Sequence, residues 1–202
     1  MSMNQYVSGF VLAGGRSRRM GCDKAYLKVN GQPLLLRAVN LLKAHVGSAT
    51  VLGPRGRYEP LGVPVLPDRW PGRGPLGALL TGLESSANGW NIFFACDLPM
   101  ISGKFIELLL RSMLAGGFDA VVPCMTGTWH PLCAAYRRTC AAPMRRALES
   151  GESAIINVLP HLQVNVITSV HLKSAGIEED VFENINSPED WQRVLCQTRL
   201  HP

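Results

Sequence analysis

The 202-residue sequence lacks any apolar stretch long enough to cross a bilayer. Its longest apolar runs, such as Ile92–Cys96, have five residues, whereas a membrane-spanning helix needs about 20. The apolar stretch Val7–Ala13 lacks the basic leader of a signal peptide. We therefore expect a cytoplasmic protein that does not bind membranes.

Features of several other protein classes are also missing. The six cysteines include no CxxC pair, and the chain contains no internal repeat or low-complexity linker. Because a chain of this length does not need disulfides, we expect reduced thiols rather than bridges or a zinc site. Hydrophobic residues make up 47% of the sequence and charged residues 17%, which excludes a disordered tail. Domains usually contain about 100–200 residues, so we expect residues 1–202 to form a single domain.

Acidic residues are scarce in the first 75 positions. These positions hold 11 Lys and Arg against 3 Asp and Glu, a net charge of +8, whereas the remainder carries −3. A positive half suits either a polyanionic small ligand or a nucleic acid. A nucleic-acid surface would interleave base-stacking aromatic residues with the cations, and no such series is present. The pattern favours a small phosphorylated ligand.

Short β-rich runs alternate with longer helical segments, a rhythm that predicts an α/β fold. Most of the runs are continuously apolar, as expected of strands covered on both faces. We predict an open, mostly parallel sheet with helices on both faces. The predicted strands are Tyr6–Ala13, Ala49–Gly53, Val63–Leu66, Trp90–Cys96, Ala120–Cys124, Leu132–Tyr136 and Gln163–Ile167. The predicted helices are Leu34–His45, Leu76–Ala87, a helix from Ser102 to the Gly116–Gly117 pair, and a last helix that begins at Ser187–Pro188.

A glycine-rich and cation-rich loop follows the first predicted strand, where open α/β sheets bind their ligands. Because Gly14 and Gly15 have no Cβ, the backbone can approach a phosphate and offer it N–H groups. Positive charge is supplied by Arg16, Arg18, Arg19 and Lys24. The spacing matches neither GxGxxG nor GxxxxGK[ST]. The alternative interpretation is that the glycines only shape a tight turn.

Asp97 follows the predicted strand Trp90–Cys96 and should lie at the same edge of the sheet as the glycine loop. Mg²⁺ prefers hard oxygen ligands and usually takes one or two carboxylates together with phosphate oxygens and water. Asp97 is therefore a candidate magnesium ligand. The alternative is a turn aspartate that caps the loop at Pro99.

Other polar residues have both a structural and a functional interpretation. His130 precedes a proline and can be a general base or a strand-entry residue. Asn184 and Asn186 can satisfy local backbone at the start of the last helix or reach a ligand. The pairs Arg137–Arg138 and Arg145–Arg146 can be a solvated face or contact the phosphate of a second substrate.

The segment LAGGRSRRMGCDKAYL, from Leu12 to Leu27, resembles the N-terminal signature of the molybdenum cofactor guanylyltransferase family. Further matches follow in the family's order over essentially the whole chain: Pro67–Asp68, Gly74–Gly77, Cys96–Pro99, His130–Pro131 and Asn184–Asp190. The GG of LAGG, where cytidylyl relatives usually have AG, favours a guanylyl enzyme. The resemblance implies a Rossmann-like fold of the nucleotide-diphospho-sugar transferase type. It also implies transfer of GMP from MgGTP to the terminal phosphate of molybdopterin, with release of pyrophosphate.

The resemblance also implies roles for individual residues. Backbone groups would cradle the guanine nucleotide at Leu12, Ala13, Gly14 and Gly15. Lys24 and Arg19 would meet its phosphates, Asp68 its nucleoside half, and Asp97 would hold Mg²⁺ as well as the nucleotide. The catalytic residues would then be Arg19, Lys24 and Asp97, and candidates for the acceptor side are His130, Asn184 and Asn186. Gly53 departs from the family, because some members have an asparagine there that touches the nucleotide.

Three alternatives stay open at this point. The first is another nucleotidyltransferase, which uses CTP for molybdopterin or acts on a sugar phosphate. The second is a non-catalytic carrier of GTP or molybdopterin, and the third is a nucleic-acid-binding module built on the basic N-terminal half. For the guanylyltransferase, the expected partners are GTP, molybdopterin and molybdoenzyme maturation proteins, without nucleic acid or membrane.

Overall fold

The computed structural model describes residues 7–14 and 20–200, the last four of these without their side chains. The described strands are β1 (Val7–Leu12), β2 (Lys28–Val29), β3 (Gln32–Pro33), β4 (Ala49–Leu52), β5 (Val65–Leu66), β6 (Trp90–Ala95), β7 (Ala120–Met125), β8 (Thr128–Trp129), β9 (Cys133–Arg137) and β10 (Val164–Ile167). The described helices are α1 (Leu34–Val46), α2 (Arg55–Tyr58), α3 (Gly74–Ser85), α4 (Gly103–Met113), α5 (Ala141–Glu149), α6 (Ser169–Ser174) and α7 (Pro188–Leu200).

The central sheet has the strand order β10-β7-β9-β6-β1-β4-β5, and β8 pairs with β7 outside this path. Strand β1 lies in the middle and pairs in parallel with β4 and β6. Strand β9 runs antiparallel to both β6 and β7. The carboxyl ends of β1, β4, β5, β6, β7 and β10 therefore meet at one edge of the sheet. The predicted open, mostly parallel sheet is confirmed.

Alternating side chains of the strands face two helical layers. On one face, Val11 belongs to a buried cluster that also contains Leu42 of α1 and Ile106 of α4. On the other face, Phe10 and Phe93 stack at 5.0 Å between ring centroids and pack with residues of α3 and α5. Fully burying a large apolar side chain contributes about 1.5–3 kcal/mol. Helices cover both faces of the sheet, as predicted.

The helix start signals are confirmed in two places and corrected in a third. The Ser102 hydroxyl accepts a hydrogen bond from the backbone N–H of Phe105 at 3.4 Å, as an N-cap residue does. The Ser187 hydroxyl accepts one from Asp190 N–H at 3.2 Å, at the start of α7. Helix α3 begins at Gly74, two residues before the predicted start at Leu76, and contains Pro75 in its first turn. Proline fits the first turn because the N–H groups there have no partner within the helix.

Several element bounds also differ from the predictions. The run Val63–Leu66 forms a strand only at Val65–Leu66, because Pro64 cannot donate a hydrogen bond to a neighbouring strand. Tyr6, the predicted first residue of β1, lies outside the described residues. All six cysteines are free thiols. Within the described part of the chain, no helix is long and apolar enough to cross a membrane.

Candidate active site

The loops that leave β1, β4 and β6 are hydrogen-bonded to one another at the carboxyl edge. The Ala13 N–H donates to the Leu52 carbonyl at 2.9 Å, and the Cys96 N–H donates to the Leu12 carbonyl at 3.0 Å. Gly14 has a φ angle of +121°, which glycine adopts readily and other residues rarely do. The sequence-predicted glycine turn therefore starts at this edge. Gly15 and Arg19 lie outside the described residues.

Lys24 and Asp97 form an ion pair at this edge. The Lys24 ammonium nitrogen lies 3.2 Å from Asp97 Oδ2, and the two side chains are 14% and 22% exposed. Lys24 also donates a hydrogen bond to Asn186 Oδ1 at 2.9 Å. Three residues that sequence analysis selected independently thus converge, although Asn186 is 162 positions away from Lys24.

The backbone around Asn186 is fixed by two neighbours. The Ile185 N–H donates to the Asp97 carbonyl at 3.1 Å, which ties this segment to the end of β6. The carboxylate of Asp190 accepts hydrogen bonds from the N–H groups of Asn186 and Ser187, both at 2.9 Å. These hydrogen bonds lower the pKa of Asp190. Ser187 and Asp190 therefore cap α7, while the side chain of Asn186 contacts Lys24. Asn184 is exposed.

The donor set at this point suits a magnesium ion that arrives with a phosphate ligand. Asp97 supplies a carboxylate and Asn186 an amide oxygen, both hard ligands. Across residues 7–14 and 20–200, no cluster of three or more His, Cys, Asp or Glu residues could hold a metal. A complete protein cage is not needed, since Mg²⁺ usually takes the rest of its ligands from phosphate and water.

Asp68 lies at the same edge, in the loop between β5 and α3. Its Oδ1 accepts hydrogen bonds from the Trp70 N–H at 2.8 Å and from the Thr81 hydroxyl at 3.1 Å. Because Thr81 is fully buried in α3, these bonds fix the orientation of the carboxylate. Asp68 is therefore a rigid acidic group on the β5 side of the glycine turn.

Gly53 follows β4 and contacts the glycine turn directly. A Cβ atom at this position would lie 2.5 Å from the Ala13 carbonyl oxygen and 3.0 Å from Cε2 of Tyr58. These distances are too short for any side chain unless the backbone moves. The asparagine that some family members have here therefore does not fit this structure, and Gly53 allows the two loops to approach closely.

His130 lies on the β9 side of the same edge. Its ring stacks on Phe182 with 4.3 Å between centroids and an angle of 17°. Two residues later, the Leu132 carbonyl accepts a hydrogen bond from Ala95 N–H at 2.8 Å. Burial lowers the pKa of His130, and the negative charge of Glu179 opposes this effect. The ring is therefore a neutral, packed group close to the end of β6.

Other groups are excluded from a direct chemical role or lie elsewhere. Burial raises the pKa of the Cys96 thiol to about 12, so this neighbour of Asp97 is a neutral thiol and a poor nucleophile. Arg137 packs over the ring of Trp90 at 4.7 Å, at the opposite edge of the sheet. Arg145 forms an ion pair with Glu84 at 2.5 Å, between α5 and α3. Arg145 also lies over the ring of Trp70 at 5.8 Å, in the loop that carries Asp68.

Two residues of this region had no role in the sequence predictions. Asp23 caps the short 3₁₀ turn Lys24–Tyr26 by accepting the Ala25 N–H at 3.1 Å, and its other oxygen accepts the Tyr58 hydroxyl at 3.1 Å. The capping role of Asp23 could have been predicted from the sequence, because aspartate is a preferred residue before a short helical turn. Tyr58 is 35 positions away, and no local pattern indicates its contact.

The fold and this edge define an α/β nucleotidyltransferase: a mostly parallel sheet whose carboxyl ends present a glycine turn, a lysine and an aspartate to a ligand. The chain belongs to the MobA-like NTP transferase domain family, whose model matches residues 9–164.

A curated relative agrees with this family, and two solved structures share the fold. The chain is 31% identical over 186 residues to a probable molybdenum cofactor guanylyltransferase from Pelotomaculum thermopropionicum, covering 91% of this chain and 89% of that protein. It superposes on molybdopterin-guanine dinucleotide biosynthesis protein A from Archaeoglobus fulgidus with a TM-score of 0.84 and 24% identity, over 96% and 99% of the two chains. A cytidylyltransferase from Thermus thermophilus, specific by its name for 2-C-methyl-D-erythritol 4-phosphate, gives a TM-score of 0.71 at 18% identity, over 96% and 99% of the chains. The fold is thus shared by enzymes with different nucleotides.

Proposed function

We propose that this enzyme transfers GMP from MgGTP to the terminal phosphate of molybdopterin, producing molybdopterin guanine dinucleotide and pyrophosphate. The observation that carries the proposal is the Lys24–Asp97 ion pair, at 3.2 Å, beside the glycine turn at the carboxyl edge. The name of the Pelotomaculum relative supports the choice of guanylyl group and acceptor. The LAGG motif of the turn supports GTP over CTP.

Charge is the main obstacle to this reaction. The acceptor phosphate and the triphosphate are both anions, and two unit charges about 4 Å apart repel by about 4 kcal/mol at an effective dielectric constant near 20. The ammonium of Lys24 would offset this repulsion, and we assign the same role to Arg19. Mg²⁺ bound to Asp97, with Asn186 close by, would neutralise further phosphate charge.

The protein then has to hold two phosphates in line. A phosphate oxygen of molybdopterin forms a bond to the α-phosphorus of GTP, while the bond from the α-phosphorus to the bridging oxygen breaks and pyrophosphate leaves with that electron pair. The attacking oxygen is already ionised, so no general base is required. Catalysis would consist of positioning and electrostatic stabilisation, and the neutral thiol of Cys96 would take no part.

We assign the remaining contacts by the position of each group. Backbone groups from Leu12 to Gly14, continued by Gly15, would hold the guanine nucleotide. Asp68 keeps its second carboxylate oxygen for the nucleoside, since Oδ1 is bound to Trp70 and Thr81. On the other side of Asp97, His130 and the exposed Asn184 would face the acceptor.

The test is incubation of the purified protein with Mg²⁺, molybdopterin and each of GTP, CTP, ATP and UTP in turn. We expect pyrophosphate and a guanine dinucleotide, resolved by chromatography, with GTP alone. Faster turnover with CTP would contradict the assignment of the base. Binding of GTP without any pyrophosphate would show a carrier instead of an enzyme. Addition of a sugar phosphate in place of molybdopterin tests the acceptor in the same way.

A further inference from the structure

Tyr58 is a fully buried tyrosine whose hydroxyl points at the loop that carries Lys24. It donates a hydrogen bond to Asp23 Oδ2 at 3.1 Å. The other carboxylate oxygen, Oδ1, accepts the Ala25 N–H at 3.1 Å. Asp23 therefore joins the buried hydroxyl to the backbone of the turn in which Lys24 is the first residue.

The space for Tyr58 comes from Gly53. The Cβ of any other residue would lie 3.0 Å from Cε2 of the tyrosine ring. The ring is also stacked against Tyr26, with 6.3 Å between centroids, and the Tyr26 hydroxyl donates to the Arg57 carbonyl. The segment from Gly53 to Tyr58 thus packs against both ends of the turn, and the tyrosine hydroxyl has one defined position.

Asp23 also has a cationic neighbour, but the contact is weaker. Arg57 lies 3.5 Å from Asp23 Oδ2, and its side chain is 51% exposed, so water and salt screen the pair. Tyr58 is sheltered from solvent. Burial, followed by the charge of Asp23, raises its pKa well above the usual value, so the hydroxyl stays protonated and able to donate at neutral and moderately alkaline pH.

We infer that Tyr58 and Asp23 are positioning residues that hold Lys24 against Asp97 for nucleotidyl transfer. The inference rests on the proposed function for its catalytic consequence, because Lys24 is there assigned to the phosphates. The hydrogen bonds fix the backbone of the turn, and the turn fixes the position of the Lys24 Cα, from which the side chain extends. Neither Tyr58 nor Asp23 needs to touch the substrate.

The first test is Tyr58→Phe, which keeps the ring and removes only the hydroxyl. We expect kcat to fall about tenfold, the factor that corresponds to about 1.4 kcal/mol, with little change in KM for GTP. Asp23→Ala, which also removes the cap on Ala25, should reduce kcat further. Ser86→Ala is the control, since it also removes one buried hydroxyl, which donates to Ser8 Oγ at 3.1 Å at the opposite edge of the sheet. It should lower the melting temperature and leave kcat unchanged.

A double variant separates positioning from simple loss of stability. If Tyr58 acts through Lys24, then adding Tyr58→Phe to Lys24→Ala should not lower the residual rate any further, since the effects of residues that act as a unit do not add. Multiplication of the two effects would overturn the inference. So would an unchanged kcat in Tyr58→Phe.

Chemical modification of Lys24 tests the inference without the transfer reaction. The rate at which acetic anhydride acetylates Lys24, followed by mass spectrometry, reports how firmly its ammonium is held. We expect a several-fold faster reaction in Tyr58→Phe and no change in Ser86→Ala. If the wild-type protein transfers no nucleotide but Tyr58→Phe exposes Lys24, the proposed function fails and the positioning pair stands. If the wild-type protein is active and neither kcat nor acetylation responds, the positioning pair is wrong.

Discussion

Asp97→Asn removes the charge of Asp97 while keeping its shape. The amide has nearly the same size as the carboxylate, and the backbone carbonyl of residue 97 can still accept the Ile185 N–H at 3.1 Å. What is lost is the negative charge that faces the Lys24 ammonium at 3.2 Å. We expect this variant to fold and to lose nucleotidyl transfer.

The effect on stability should be small, because the ion pair is neither exposed nor fully buried, with side chains 14% and 22% exposed. Exposed pairs contribute up to about 1 kcal/mol, whereas removal of one partner from a buried pair costs about 3–5 kcal/mol. Lys24 keeps the amide oxygen of Asn186 at 2.9 Å. We therefore expect a loss of about 1–2 kcal/mol, which lowers the melting temperature by roughly 2–8 °C.

The effect on activity should be much larger. If the proposed function is right, the variant loses a magnesium ligand as well as the anchor of Lys24, and removal of one group that stabilises a transition state costs on the order of 10²–10³ in rate. The assay is pyrophosphate release at saturating MgGTP and molybdopterin, with a thermal melt of the same sample. Asp119→Asn is the matched control, because Asp119 binds the Gln163 N–H at 3.0 Å at the opposite edge of the sheet. A rate for Asp97→Asn within about tenfold of wild type would refute the reasoning.

Three further outcomes follow from the same geometry. Lys24→Ala breaks the same ion pair, so it should lower the melting temperature by roughly the same 2–8 °C and slow transfer on the order of 10²-fold; an unchanged rate would make the loop purely architectural. Gly53→Ala should destabilise the protein by about 1–3 kcal/mol, because its Cβ would lie 2.5 Å from the Ala13 carbonyl; urea unfolding measures this, and wild-type stability would contradict it. Burial raises the pKa of the Cys96 and Cys140 thiols to about 12, so the native state keeps protons that the unfolded chain releases above about pH 8.5. The contribution of the two thiols to the free energy of unfolding should therefore be complete below that pH. It should fall as the pH rises towards 12, by up to about 1.4 kcal/mol per pH unit for each thiol. Replacing both by alanine should make this decline less steep in urea titrations, with a remaining slope from Cys133, whose thiol pKa is also raised by burial; an equally steep loss would contradict the assignment.

The fold class was predictable because its signal is local. Continuous apolar runs and cap residues identify strands and helix starts without knowledge of the partner. The order of the strands was not predictable, and neither was the antiparallel direction of β9. Helix α2 also escaped prediction, because it has four residues, one of them Gly56, and no apolar period can be recognised over so short a length.

The Lys24–Asp97 pair shows how far such local reasoning extends into the site. Each residue follows a predicted strand, and the carboxyl ends of parallel strands meet at one edge. Their proximity therefore follows from two local patterns and one topological rule. No local pattern or topological rule predicts the contact of Tyr58 with Asp23, because it depends on how the segment after β4 packs against the glycine turn.

Asn186 lies between these two cases. Its neighbour Ile185 is fully buried and packs with Val29, Leu34 and Val194 in a small cluster beside the main core. An apolar residue between two asparagines indicates a segment that is anchored at its centre and polar on both sides, and this pattern is visible in the sequence. The burial of Ile185 places the Asn186 amide oxygen 2.9 Å from Lys24. The sequence thus indicates that the asparagines flank a buried residue. It does not indicate where in the fold that residue lies, because its position depends on the packing of α1 and α7.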